Sequence, residues 1–546
     1  MLILMRMLIF TSLIIVFINT ENKTIGNLDV VNVSLRSLCE MNQEFVEKKK
    51  KRAKKKKKKI FTKIRVKGSK TLEGFFCNTL NGIIFKNIKG KCYGESSDND
   101  SENSISYMEK NDINNEEDNN VNFCRYNNIV DNSIDILENV NKPNKVIYNW
   151  KLGKESLLKM LGMSKDFSIN GVKYEKWKLL PIDFGDMDEI NKQKKKNIFK
   201  SRICSPSGKS TNNTKVFIKK INIMGWLKQF DCMDKYDGEY MYTKDNFVME
   251  AVALSFLEEY HKGITPKLHK ILFEPDDNKF YENVSSDYMF SSLINFNNIL
   301  RNGLNKNLNG NIVIVSELYG EDIKNFKKKM RKAYPKVFNQ KEKKKILFEC
   351  LKLIDKLHDT GLSHLDITPE NILISDNFEF RICDFGKSTP LYTNKMRHIK
   401  KFNTMFAFES CCPCVGKMPF IPPECLKLYK IYRERSIHDP LKYLNSIWDT
   451  NERRKYYFDV TNADKYMLGI LFIWIWNDDY LWNCSDPLTD KNYMRFEKNN
   501  MSLDTFRVTK KWPKDIKIMI KYLIDIKYRK NIKLKDLIKD PWWFRK

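Results

Sequence analysis

The sequence predicts an α+β chain of two lobes, a small β-sheet-rich one followed by a large helical one, behind a disordered leader. Three observations carry this. Strand-like, β-branched runs, Lys215-Val-Phe-Ile-Lys-Lys-Ile221 and Asn311-Ile-Val-Ile-Val315, fall early in the ordered part of the chain. Helical spacing dominates later, in Ile346, Leu347, Cys350, Leu351, Ile354 and Leu357 and again from Phe458 to Trp476. Between those helical stretches lie two polar clusters, Leu362-Ser-His-Leu-Asp-Ile-Thr-Pro-Glu-Asn-Ile-Leu-Ile374 and Arg381-Ile-Cys-Asp-Phe-Gly386.

Composition suits one such domain with extensions. The chain has 546 residues and is 42% hydrophobic and 30% charged, enough for a sizeable core with polar tails. Formal charge is +29, and eleven cations sit between Lys48 and Lys59, which leaves about +18 (29 minus 11) elsewhere. That excess favours acidic partners such as phosphorylated proteins or membrane headgroups. No nucleic-acid partner is expected, because charge alone is not a recognition fold. Thirteen scattered cysteines, odd in number, fit reduced thiols better than a disulfide framework.

The leader reads in two parts. Residues 1–20 form a signal sequence: Arg6 precedes an apolar run from Met7 to Ile18, too short for a membrane span of about twenty residues. A retained anchor is the alternative. Residues 21–144 hold Arg36-Ser-Leu-Cys-Glu40, the polybasic run and a linker rich in Asn, Asp, Ser and Glu from Glu95 to Asn141. The polybasic run repels itself, so it reads as a solvated tail or as a dock for an anionic membrane or acidic protein. Ile60 to Tyr93 has no clear assignment.

Order is expected to resume at Lys145. Trp150, Leu157, Leu158 and Leu161 have helical spacing, and Trp177-Lys-Leu-Leu-Pro-Ile182 looks like a first strand. Gly361 should end the helix that contains Cys350. The apolar helix Phe458–Trp476 belongs inside the larger lobe and is too short to span a membrane.

The two polar clusters carry the chemistry. Asp366 and Asn371 are five residues apart, and Asp384 opens a D-F-G eighteen residues after Asp366. This spacing resembles the catalytic loop and metal-binding turn of protein kinases. Phosphoryl transfer needs a carboxylate at the acceptor hydroxyl, and an amide plus a second carboxylate on the metal that bridges the phosphates. The resemblance gives Asp366 the first role and Asn371 and Asp384 the second, with ATP and Mg2+ (or Mn2+) as cofactors. A second D-F-G, Asp183-Phe184-Gly185, has no such loop before it. His364 reads as structural.

The same resemblance assigns further parts. Val216-Phe-Ile-Lys219 matches the kinase strand whose lysine meets the α- and β-phosphates. Lys220 is the register alternative, but strand alternation turns it to the other face. Glu250 would be the partner of Lys219 on the helix that kinases call αC. It lies 31 residues on, so an insertion is expected, and Glu258 and Glu259 are runners-up. Asn311 to Gly320 would run into the hinge, with Glu317, Leu318 and Tyr319 offering backbone groups to adenine and Ser316 as gatekeeper. Asp464 would brace the catalytic loop, and Arg529 would pair with Glu424 of Pro422-Pro-Glu424. Cys411, Cys412 and Cys414 lack an evident fourth metal ligand. The smaller lobe would span 145–320 and the larger 321–546.

Phe217-Ile-Lys-Lys220 is also the signature of the FIKK kinases of apicomplexan parasites, and His364-Leu-Asp-Ile-Thr-Pro-Glu-Asn371 resembles that family's catalytic loop. Arg36 to Glu40 resembles the R-x-L-x-E export element of malaria parasites. Together these imply secretion, cleavage after Leu38 and delivery to the host erythrocyte. The implied activity is phosphorylation of Ser/Thr on red-cell skeletal or membrane proteins, with Tyr left open. No G-x-G-x-x-G precedes Lys219, a feature FIKK kinases share; it also leaves a pseudokinase scaffold as the rival reading.

Two departures stand out in the loop itself. Leu365 replaces the arginine that usually binds an activation-loop phosphate, which points to activity independent of that phosphate. Thr368 replaces the usual catalytic-loop lysine, while Lys417 stands where kinases carry a threonine. The pair reads as a swap, with Lys417 supplying the catalytic cation.

Overall fold

Residues 146–182, 197–203, 214–240, 245–281, 285–333, 339–393 and 406–545 are described by the computed structural model. The signal sequence, the export element, the polybasic run, the linker and Asp183-Phe184-Gly185 lie outside them. In chain order, helix α1 (Trp150–Met160) leads into strand β1 (Leu161–Met163), followed by β2 (Leu180–Pro181), β3 (Ile198–Ile203) and β4 (Thr214–Asn222). Helices α2 (Ile223–Lys235) and α3 (Phe247–Tyr260) come next, then β5 (Leu268–Pro275), α4 (Leu293–Asn305) and β6 (Gly310–Glu317). The strands form one sheet in the order β1-β5-β6-β4-β3-β2. Only β1 lies parallel to its neighbour.

Strand alternation sorts β4 into two faces. Val216 and Ile218 join Leu272, Val313 and Val315 in an outer cluster covered by Tyr174 and Trp177. Lys220 lies on that outer face as well, where Glu274 holds it at 2.6 Å beside the Tyr174 and Phe199 rings. Lys219 and Ile221 turn the other way, toward α3. The first strand is shorter than Trp177–Ile182: only Leu180 and Pro181 pair with β3. Trp177 is spent on packing, its indole N–H donating to the Val172 carbonyl at 3.1 Å, and Pro181 has no N–H for a ladder.

Helix α3 is buried on every side from Val248 to Leu257. Asn246 caps it by accepting from the Met249 N–H at 3.0 Å. Helices α1 and α2 pack against it, and α4 packs against α2. Helix α2 is the insertion expected between Lys219 and Glu250; its Trp226 is fully buried and donates to Asn297 of α4 at 3.1 Å. Helix α4 was not foreseen, although Leu293, Phe296, Asn297 and Leu300 have the i, i+3, i+4 spacing of a helix face. Helix α1 crosses α3 closely at Gly153, where a Cβ would lie 2.5 Å from Val252 Cγ1. The chain before α1 ties both lobes to α3. The Tyr148 N–H donates to the Thr360 carbonyl at 2.7 Å, and His261 meets the Val146 carbonyl at 2.7 Å.

The larger lobe is helical, with α5 (Ile323–Ala333), α6 (Gln340–Asp359), α7 (Pro423–Glu434), α8 (Val460–Asn477) and α9 (Lys514–Ile524) as its main elements. Helix α8 is buried almost all round and packs against α6 and α9. Among the described residues, no helix is long and apolar enough to cross a membrane. Two short strands, β7 (Ile372–Ile374) and β8 (Phe380–Ile382), pair antiparallel between α6 and α7. They fix the distance between Asn371 and Asp384.

Candidate active site

The site forms where the two lobes meet. Lys219 Nζ lies 2.6 Å from Glu250 Oε2 and 3.1 Å from Asp384 Oδ1, above the Phe247 ring. Burial opposes the lysine's charge, but Asp384 and Glu250 outweigh it and hold the ammonium protonated well above its ordinary range. Burial also pushes the Glu250 carboxyl up, to about 7, with Lys219 offsetting part of the rise. The runners-up are otherwise engaged. Glu258 accepts the Leu268 N–H at 3.0 Å, and Glu259 pairs with Lys159.

Backbone and side chains shape the catalytic loop together. The Asn371 amide nitrogen donates to the Asp366 carbonyl at 2.9 Å and to its Oδ2 at 3.1 Å. His364 is fully buried; its Nδ1 accepts the Asp366 N–H at 3.2 Å, so Nε2 carries the proton donated to the Cys383 carbonyl at 3.0 Å. This ring joins the loop to the D-F-G turn. It is not placed as a base. Asp464 accepts the N–H groups of His364 and Leu365 at 2.8 and 2.7 Å and meets His358 at 3.0 Å. Those bonds hold Leu365 at φ +58, a left-handed conformation uncommon for leucine.

Asp366 Oδ1 and Thr368 Oγ1 are buried without a hydrogen-bond partner among the described residues. Burial raises the Asp366 carboxyl, and Lys417 is the strongest charge opposing that rise. Lys417 Nζ lies 3.1 Å from Glu370 Oε2, and Glu370 is held in turn by Lys324 at 2.8 Å. The segment carrying Lys417 is fixed to the loop by the Gly416 N–H, which donates to the Leu365 carbonyl at 2.8 Å. Further along, Arg529 contacts both Glu424 oxygens at 2.8 and 2.9 Å.

The hinge residues divide their duties. Ser316 is buried in β6 opposite Phe217 and Leu268. The Glu317 and Leu318 N–H groups are already engaged, with the Lys267 carbonyl at 2.8 Å and the Lys215 carbonyl at 3.0 Å. The sheet therefore uses the N–H groups of Glu317 and Leu318, so a backbone contact to adenine from these two residues would come from their carbonyls. The Glu317 carboxylate pairs with Arg381 at 2.8 Å, and Arg381 stacks over the Tyr319 ring. A cavity of about 480 Å3 lined by Lys215, Lys267, His269, Glu317 and Arg381 opens beside this strand end, and none of Lys219, Asp366 and Asp384 lines it.

The donor set suits a hard divalent cation. The Asn371 nitrogen is spent on Asp366, which leaves its amide oxygen as the ligand atom, and Asp384 adds a partly exposed carboxylate. Such an ion would sit between Asn371 and Asp384 and neutralise phosphate charge. Cys411 and Cys412 place their sulfurs 4.0 Å apart, and no group of three or more His, Cys, Asp or Glu among the described residues is arranged to hold a metal.

A paired Lys219 and Glu250, a braced loop and a D-F-G turn now stand within one cleft. The fold is that of a protein kinase. Residues 267–439 match the Protein kinase domain family, a range that includes Asp366, Asn371, Asp384 and Lys417 but not Lys219 or Glu250. The chain is 33% identical over 89 residues to the serine/threonine-protein kinase HAL5 of Candida glabrata, covering 16% of this chain and 10% of that protein. It is 27% identical over 151 residues to the serine/threonine-protein kinase PTK2/STK2 of Saccharomyces cerevisiae, covering 27% and 15%. Against the 3-phosphoinositide-dependent protein kinase 1 of Arabidopsis thaliana it is 27% identical over 100 residues, 18% of each. The chain thus spans less than a fifth of the length of each of these relatives.

Proposed function

We propose that this protein is an ATP-dependent protein kinase that phosphorylates serine or threonine hydroxyls of other proteins. One observation carries the reading: Lys219 bridges Glu250 and Asp384 while Asn371 holds Asp366, so both halves of the machinery stand assembled. Asp366 accepts the hydroxyl proton, and Lys219 orients the nucleotide phosphates. Asn371 and Asp384 would hold the Mg2+ or Mn2+ ion, which supplies charge neutralisation when bound. The names of the kinase relatives favour Ser/Thr over Tyr. Phosphoryl transfer to peptide arrays by the full chain, abolished in Asp366→Asn, tests this. Nucleotide binding with no transfer would favour the pseudokinase scaffold instead.

The finer reading is a FIKK-type kinase exported to the erythrocyte, acting on its skeletal or membrane proteins. It is supported by Phe217 to Lys220, by the catalytic loop's departures and by the Arg36–Glu40 leader. The polybasic run between Lys48 and Lys59 would dock on an anionic membrane or acidic protein. Arg36→Ala in a tagged chain should retain it in the secretory pathway. Unchanged delivery would remove the export reading.

A further inference from the structure

The transferred phosphoryl group gathers negative charge on its oxygens, so a cation beside the base lowers the barrier. The catalytic loop does not offer one. Two residues beyond Asp366 stands Thr368, fully buried, uncharged and with an unpartnered hydroxyl. The described cations near Asp366 are few. Lys219 is engaged by Glu250 and Asp384. His364 uses both ring nitrogens to hold the loop and the D-F-G turn. Lys387 acts on Asp366 more weakly than Lys417 does.

Lys417 differs from these in its anchoring. The Gly416 N–H donates to the Leu365 carbonyl, so the residue before Lys417 is fixed to the residue before Asp366. The Phe420 N–H donates back to the Lys417 carbonyl at 2.6 Å, which closes the backbone into a tight turn. The Lys417 side chain is half-exposed, and its ammonium rests 3.1 Å from Glu370, which belongs to the catalytic loop. The pair is open to solvent, which screens it, so the ammonium can exchange Glu370 for a phosphate oxygen.

We propose that Lys417, delivered from the activation segment, binds the γ-phosphoryl oxygens during transfer and replaces the charge that Thr368 leaves out of the catalytic loop. This rests on the kinase reading above. In the step, the acceptor hydroxyl oxygen bonds to the γ-phosphorus, and the bond to the β,γ-bridging oxygen breaks. That electron pair leaves on ADP, and the hydroxyl proton passes to Asp366. Lys417 keeps its own proton throughout. Glu370, held by Lys324, is a positioning residue that parks the ammonium between turnovers.

The experiment compares full-length wild type with Lys417→Ala, Lys417→Arg and the exchange Thr368→Lys/Lys417→Thr. It reads kcat, the Kd of a non-hydrolysable ATP analogue and the melting temperature. The expected loss in Lys417→Ala is about 10²-fold in kcat with Kd and melting temperature near wild type, as for removal of one transition-state donor. Arginine should restore part of kcat, and the exchange more than the alanine level. A Lys417→Ala enzyme within about threefold of wild-type kcat overturns the assignment, as does a folded exchange variant no better than alanine. A wild-type chain without Asp366-dependent transfer would instead sink the kinase reading itself.

Discussion

The backbone N–H of Asn246 donates to the Gly386 carbonyl at 2.9 Å. Asn246 caps the helix that carries Glu250, and Gly386 ends the turn that carries Asp384. One hydrogen bond therefore links the two acids that hold Lys219. A Cβ at residue 386 would lie 3.2 Å from the Asn246 nitrogen and from Asp245 Cα, and backbone atoms yield little. Gly386→Ala should push the helix start away and lower kcat at least about tenfold, since small misplacements cost that much. Steady-state kinetics with a nucleotide Kd would check it; unchanged kcat would show the link to be incidental.

Helix α1 is expected to matter to that same helix. Gly153→Ala gains up to about 1 kcal/mol in helix propensity. The new methyl meets Val252 Cγ1 at 2.5 Å and Tyr148 Cε2 at 2.8 Å, and overpacking of that kind costs about 1–3 kcal/mol. The net effect should be a lower melting temperature with a fall in kcat, because α3 shifts with its neighbour. A thermal melt as stable as wild type would count against close packing here.

Leu365 is fully buried. Its apolar side chain cannot bind a phosphate on the activation segment, and Asp464 already holds its backbone. Phosphatase treatment of the purified chain should therefore change kcat by less than about twofold, since the bidentate contact is missing. Mass spectrometry would confirm that phosphate was removed.

Helix α8 ends at Asp478, which faces Lys327 and Lys343, each at 2.9 Å, and Arg331. Lys327 and Lys343 also donate to the Trp474 and Trp476 carbonyls at 2.8 Å, so they cap the helix end. Burial opposes the Asp478 charge, but these cations win and hold its carboxyl below its ordinary value of 3.8. A depressed acid contributes stability that is present above its unfolded value and lost as pH falls through the folded one. The wild-type melting temperature should thus fall below about pH 3.8 more steeply than that of Asp478→Asn. Near neutral pH, Asp478→Ala should cost about 3–5 kcal/mol, because it leaves Lys327 buried without its counter-charge. Urea unfolding at two pH values would decide both points.

Much of the site was legible because chemistry fixes local spacing. Asp366, Asn371 and Asp384 lie on one short loop–strand–strand unit, so their separation along the chain nearly sets their separation in space. Lys219 could be placed because a two-residue strand period decides which of two adjacent lysines faces inward. The hinge was harder. That the sheet consumes the N–H groups of both Glu317 and Leu318 depends on pairing with Lys267 and Lys215, far away in sequence.

The packing of α1 on α3 and of α4 on α2 was also out of reach. Helix α4 announces itself only by apolar spacing, which many surface helices share, and nothing in that spacing says what it covers. Trp226 finding Asn297, Gly153 meeting Val252 and Tyr148 reaching Thr360 are contacts across 71, 99 and 212 positions of chain. Taken alone, the sequence determined which groups could do the chemistry, because their types and local spacings are chemical requirements. Tertiary structure decided between Glu250 and its runners-up Glu258 and Glu259, and it set Lys417 against Glu370 of the catalytic loop. Those pairings depend on how buried faces of distant elements close-pack, which no local pattern encodes.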